Sequence, residues 1–163
     1  MEENGLARFG PRARPALTAD LHKKTGAILS AAINVHRELG PGLLESVYEV
    51  CLTAEFRHLG IEFQRQVDVP VTYRDAYVAT GLRLDFLIFD EIIVELKAVE
   101  IVLAVHKAQL LSYLRLTNKP VGLLINFNVP ALRQGVSRII NPAHPSIRAS
   151  VPPLPHVERK PDE

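Results

Sequence analysis

Two apolar runs, Leu82 to Ile88 and Ile92 to Val99, lie a short turn apart and carry charges where core strands tolerate none. Asp85 interrupts LRLDFLIF, and Glu95 with Lys97 interrupts IIVELKAV. Ionised groups among such neighbours are costly unless paired or bound to a cation. The runs read as a hairpin around Asp90-Glu91. Glu95 and Lys97, two residues apart, share one face of their strand, and directly paired residues of a hairpin share a face too. A two-residue turn sets Asp85 opposite Leu96, facing away from Glu95. A three-residue connection, Phe89-Asp90-Glu91, pairs Ile88 with Ile92 and Asp85 with Glu95. An odd-length loop or a bulge is therefore expected.

Two carboxylates this close repel, so one takes up a proton near neutral pH unless a cation lies between them. Oxygen-only ligands favour a hard ion, magnesium first and manganese second. Lys97 then suits a group that positions a water nucleophile or neutralises charge on a phosphate. The competing arrangement is a buried ion pair of Lys97 with Glu95 or Asp85, without metal.

Around this hairpin the chain reads as helix, helix, strand, hairpin, helix, strand, an α/β or α+β sheet with helices packed on it. Leu21, Ile28, Ala32, Val35 and Leu39 recur at helical spacing up to Gly40-Pro41-Gly42. A second helix is expected from about Leu43 to Leu59, with Leu44, Val47, Cys51 and Ala54 as its apolar face. Phe63 to Tyr73 alternates as a strand, and Pro70 within it marks an edge or a bulge. The next helix runs from about Leu103 to Leu116, and VGLLINFNV after Pro120 reads as a buried strand.

On that later helix His106, Gln109 and Tyr113 form a polar face beside Leu103, Leu110, Leu111 and Leu114. Gln109 donates and accepts, and Tyr113 offers a hydroxyl and a ring on which a base can rest. Gly42, Glu45 and Tyr48 are spaced G-x-x-E-x-x-Y, which sets Glu45 and Tyr48 on one helix face. The helix dipole alone explains a glutamate in a first turn; its functional role is a further carboxylate reaching the metal, directly or through water.

These pieces resemble the GxxExxY family of the PD-(D/E)xK nuclease-like superfamily. VHRELGPGLLESVYE, RQVDVPV, GLRLDFLI, IIVELKAVE, HKAQLLSYLRLT and VGLLINFNV carry the resemblance, over about Gly26 to Asn141. It implies a restriction-endonuclease-like core, a mixed sheet in αβββαβ order flanked by helices. By position it implies that Asp85, Glu95 and Lys97 are the D…ExK catalytic set and that Glu45 is the acidic residue of the preceding helix. Gln109 and Tyr113 then look like the QxxxY motif of RecB-like nucleases. Leu84 stands where the superfamily's name has proline.

The expected activity is magnesium-dependent hydrolysis of phosphodiester bonds in DNA, with RNA the alternative substrate. Asp85 and Glu95, with Glu45 and the carbonyl of Leu96, are the expected metal ligands, and Gln109 joins the catalytic set. Tyr113, Tyr48, Lys107, Arg115 and Lys119 are the expected nucleic-acid contacts. The basic ones follow from an uneven charge: Glu38 to Glu100 holds twelve acidic residues against five basic, whereas Ile101 to Asn141 holds five basic and none acidic. The rival is a nucleic-acid-binding or adaptor module with a vestigial site, and a weaker one is a partner-binding role for the PPLP of the tail.

The 163 residues fit one domain, expected at 19–141, between a disordered basic leader, 1–18, and a Pro-rich disordered tail, 142–163. A single cysteine, Cys51, excludes an internal disulfide framework and a cysteine-rich zinc site. There is no HExxH and no Gly-rich phosphate loop, so neither zinc nor ATP is expected. His36 reads as a packed or hydrogen-bonded residue. No run is long and apolar enough to span a bilayer, the first residues lack the apolar stretch of a secretory signal, and the expected location is cytoplasmic.

Overall fold

Thr18 opens the first helix, α1 (Ala19–Leu39), by accepting a hydrogen bond from the backbone N–H of Leu21 at 3.2 Å. Gly40, at φ 70°, ends it in a conformation that glycine adopts without strain. The computed structural model describes residues 17–78 and 81–148. After the Gly40-Pro41-Gly42 corner comes α2 (Glu45–His58). Of the expected Leu44, Val47, Cys51 and Ala54 face, only Cys51 packs against the core, half-buried. Tyr48, Leu52, Thr53 and Phe56 are buried, while Leu44 is exposed. Tyr48, Leu52 and Phe56 form an i, i+4, i+8 row, and burying two aromatic rings removes more apolar surface from water than burying a cysteine and an alanine.

β1 (Phe63–Asp68) ends earlier than expected. At Pro70, which has no N–H to donate, the chain leaves the main sheet, and β2 (Val71–Tyr73) pairs with β3 (Ala76–Val78) as a separate two-stranded arm. The chain then re-enters as β4 (Arg83–Ile88) and β5 (Ile92–Lys97), crosses over through α3 (Ala104–Leu116), and returns as β6 (Val121–Asn126). A 3₁₀ turn, Leu132–Gly135, leads to β7 (Val136–Ile140), an edge strand that its short VSRII sequence had not signalled. The main sheet has the order β1-β4-β5-β6-β7. Only the β5–β6 pair is parallel. It is a mixed five-stranded sheet flanked by helices, as expected for a restriction-endonuclease-like core, and β6 is buried throughout.

Two apolar layers sandwich the sheet. Ile92, Val94 and Leu96 of β5 pack with the α1 and α2 side, and Ile93 packs with Leu110, Tyr113 and Leu114 of α3. Helix α3 sits close to the sheet because Gly122 of β6 has no side chain: a Cβ there would lie 2.7 Å from the Leu110 side chain.

The domain also extends beyond its expected limits. Leu17 is buried and Thr18 caps α1, so the leader stops short of both. At the other end Ile147, in the helical turn α4 (Pro145–Arg148), joins the α1 and α2 core. Proline content had concealed that one apolar anchor. The disorder expected for 1–16 and 149–163, including PPLP, lies outside the described residues.

Candidate active site

The β4–β5 hairpin turns through Phe89, Asp90 and Glu91, with Phe89 and Asp90 at positive φ, and pairs Ile88 with Ile92, Leu87 with Ile93 and Phe86 with Val94. This is the odd-length connection the charge pattern requires, and it brings Asp85 across from Glu95. The two side chains reach into the gap between the strands. The N–H of Asp85 donates to Oε1 of Glu95 at 3.2 Å, and the N–H of Leu96 donates to Oδ2 of Asp85 at 2.8 Å. Each carboxylate thus accepts one backbone donor of the opposite strand.

Burial and mutual repulsion dominate the electrostatics. Glu95 is almost wholly buried. Its carboxyl is pushed up to about 8, first by burial and then by the charge of Asp85. Asp85 is also raised, again chiefly by burial, with its hydrogen bond from Leu96 opposing the shift. Both shifts favour a proton on the pair. The charge of Lys97 acts in the opposite direction on both. Among the described residues the Lys97 ammonium makes no hydrogen bond or ion pair, so the competing buried ion pair is not formed. Lys97 is half-buried and shares the strand face of Ile93 and Glu95, towards α3.

The other expected residues divide. Glu45 opens α2, and its charge is felt by Asp85 and Glu95. However, no three acidic, histidine or cysteine side chains are gathered for a metal ion among the described residues, so Glu45 stands off from the pair. Tyr113 lies beside the carboxylates: burial and then the charge of Glu95 raise its hydroxyl, which accepts from Gln109 Nε2 at 3.0 Å. Its ring is buried against β5, so it offers no platform for a base. His106 instead caps α3, its Nδ1 accepting from the N–H of Leu103 at 3.1 Å.

Tyr48 is corrected outright. It is fully buried, stacked on Phe127, and its hydroxyl donates to the Gly40 carbonyl at 2.6 Å while accepting from the N–H of Leu43 at 3.2 Å. No surface is left for nucleic acid. Its hydroxyl secures the corner from which Glu45 projects. Lys119 is likewise engaged elsewhere, its ammonium on the carbonyl and carboxylate of Asp90 at 2.6 and 2.9 Å. That turn is at the end of the hairpin away from Asp85. Lys107 and Arg115 are exposed, but each is two residues from Gln109 or Tyr113, about 200° around the helix. They face away from the site.

Sequence reasoning missed three contributors. Glu49 accepts from Arg65 and Gln66 through Oε1 at 2.9 and 2.8 Å, and its charge also raises Asp85. Gln66, at φ 52°, kinks β1 at the position facing Asp85. Buried Asn126 fixes the chain just past Lys97, accepting from the N–H of Val99 at 3.0 Å and donating to its carbonyl at 2.8 Å. The signal was available for Asn126, the first of two asparagines in the apolar run VGLLINFNV. His36, expected as a packed or hydrogen-bonded residue, donates from Nε2 to the Val129 carbonyl, 2.8 Å away.

The sequence profile of the PD-(D/E)XK nuclease superfamily matches residues 22–139, a span that contains Asp85, Glu95, Lys97, Glu45 and Gln109. No curated protein and no solved structure matches the chain. With the profile covering well over half of its length and the mixed sheet carrying an acidic pair and a lysine on neighbouring strands, the chain belongs to the PD-(D/E)XK nuclease superfamily.

Proposed function

We propose that this protein is a magnesium-dependent nuclease hydrolysing phosphodiester bonds of DNA, with manganese able to replace magnesium and RNA the alternative substrate. One observation carries the proposal: Asp85 and Glu95 face each other across a hairpin, under the charge of Lys97, whose ammonium has no hydrogen-bond or ion-pair partner among the described residues. A buried and a half-buried carboxylate that repel each other gain most from a divalent cation, and an ion held by only two carboxylates keeps positions for water and phosphate, as magnesium prefers. The donor set therefore fits the ion. Asp85, Glu95 and the Leu96 carbonyl would hold it, with Glu45 contributing through water. When bound, the ion supplies positive charge that polarises the scissile phosphate.

The chain's own groups do the rest. Lys97 orients the attacking water and neutralises charge building on the phosphate. Gln109, tied to Tyr113, presents its amide to the nucleophile or to a phosphate oxygen, and Tyr113 positions Gln109 from below. Near neutral pH Glu95 must release its proton as the ion enters, so metal affinity rises with pH.

The test is cleavage of single-stranded, duplex and flapped DNA and of RNA with magnesium, by wild type and by Lys97→Ala and Glu95→Ala. Both variants should lose turnover by at least a hundredfold, with Lys97→Ala still folded and still binding magnesium. Turnover by Lys97→Ala at the wild-type rate would remove the role assigned to it. Salt-sensitive DNA binding without metal-dependent turnover would favour the vestigial module.

A further inference from the structure

The arm formed by β2 and β3 leaves the main sheet at the end that carries Asp85. The β1–β4 ladder runs through Asp68 and Arg83 and on to the N–H of Val69, which donates to the Leu82 carbonyl at 2.8 Å. Leu82 is three residues from Asp85. At about 3.3 Å per residue, the tip of the arm lies within roughly 25 Å of the carboxylates.

Residues 72–78 are all exposed, so both faces of the arm meet solvent. Tyr73 and Tyr77 are 66% and 71% exposed. The register pairs Thr72 with Tyr77 and Tyr73 with Ala76, which sets the two rings on opposite faces of the ribbon. Arg74, at the tip with φ 53°, holds its guanidinium over the Tyr73 ring, 5.5 Å from the centroid. Tyr77 lines a depression of 370 Å³ at the root of the arm, with Pro70, Val78 and Leu82. A two-stranded ribbon gains no stability by holding bare rings in water. Rings that take up bases, with a cation beside Tyr73 for the phosphate, do have a use for that exposure.

We propose that this hairpin is a pin that separates two strands, one unpaired base stacking on Tyr73 beside Arg74 and a base of the opposite strand on Tyr77, so that the substrate is a splayed duplex rather than a blunt one. The proposal rests on the nuclease reading for its substrate, but binding tests it separately. A strand drawn past the pin runs along β4 towards Asp85 and is cut a short distance from the junction.

The test uses full-length Lys97→Ala protein in EDTA, so that binding is read without turnover, with a splayed DNA duplex, a blunt duplex of the same paired sequence and the lone single strand. The splayed duplex should bind at least about ten times more tightly than either. Tyr73→Ala and Tyr77→Ala should each weaken it by roughly tenfold or more, the range expected for a lost base stack, leave blunt duplex unchanged, and be rescued by Tyr73→Phe and Tyr77→Phe. Photocrosslinking from 5-iodouracil in each unpaired arm needs no variant and should join one arm to Tyr73 and the other to Tyr77. Equal binding of splayed and blunt duplex, alanine variants that bind as the parent does, or both arms crosslinked to one tyrosine would each overturn the pin. Failure of the wild type to cleave any substrate, with tyrosine-dependent binding intact, would sink the nuclease reading and leave the pin standing.

Discussion

The ring of Tyr48 lies stacked on the ring of Phe127, their centroids 4.4 Å apart and their planes 18° from parallel. Phe127 follows the last residue of β6, and its N–H donates to the Lys97 carbonyl at 2.8 Å. Tyr48 in turn grips the Gly40–Leu43 corner with its hydroxyl. One stacked pair therefore ties the strand end that carries Lys97 to the helix start that carries Glu45. The tyrosine of G-x-x-E-x-x-Y thus acts as a brace between two parts of the site, and the glycines allow the corner it braces.

Removing only the hydroxyl isolates that role. Tyr48→Phe keeps the stack and should cost about 0.5–1.5 kcal/mol in urea unfolding, the net worth of a hydrogen bond. Because the corner loosens, half-maximal magnesium for cleavage should rise severalfold, as it should in Glu45→Gln. A Tyr48→Phe protein with unchanged stability and unchanged magnesium demand would show that the corner is held by its backbone alone.

The carboxylate pair sets how stability depends on pH. Unfolded, Glu95 titrates near its ordinary 4.5; folded, near 8. Between those values the native protein holds a proton that the unfolded chain has shed. The metal-free protein should therefore be most stable below about pH 4.5 as far as this group is concerned, and lose stability as pH rises through about 8. The slope approaches about 1.4 kcal/mol per pH unit at most. Asp85, raised in the same direction, adds to the effect. Glu95→Gln should flatten the slope in urea titrations across this range, and saturating magnesium should do the same in the wild type. An equal slope in Glu95→Gln would place the proton elsewhere.

Much of this site was legible because charge in an apolar strand is expensive. Asp85, Glu95 and Lys97 break a period of two, and parity alone required the three-residue turn that pairs Ile88 with Ile92. What stayed hidden depended on choices between competing apolar surfaces. Along α2 two stripes were available, and the one with Tyr48 and Phe56 won by area, which turned an expected surface tyrosine into a core one. The run from Phe63 to Tyr73 alternates without a break, so sequence periodicity gave no reason to split β1 from the β2–β3 arm. The two are divided by the missing donor of Pro70 and by a partner strand that lies beyond it in the chain. Lys119 and Arg115 illustrate the remaining limit: a net basic stretch does not say which way each side chain faces.

Gly135 gives a last, purely steric prediction. It sits where the 3₁₀ turn meets β7, and a Cβ built there would lie 2.1 Å from the Asn126 carbonyl oxygen and 3.0 Å from a methyl of Val129. The first obstacle is backbone of β6, which cannot swing aside as a flexible side chain does. Asn126 also fixes Val99, two residues past Lys97, through both its amide groups. Gly135→Ala should therefore destabilise by about 1–3 kcal/mol, the usual penalty of overpacking, and should lower turnover beyond what the unfolded fraction explains. Gly26→Ala is the control: it lies within α1, where a Cβ meets nothing within 4 Å, and alanine is the better helix former, so it should leave turnover unchanged and stabilise slightly. Paired unfolding and cleavage measurements on the two variants check both halves. A Gly135→Ala protein as stable as the wild type would mean that β6 and the turn separate without cost, and that Asn126 is not the fixed point from which the end of β5 is held.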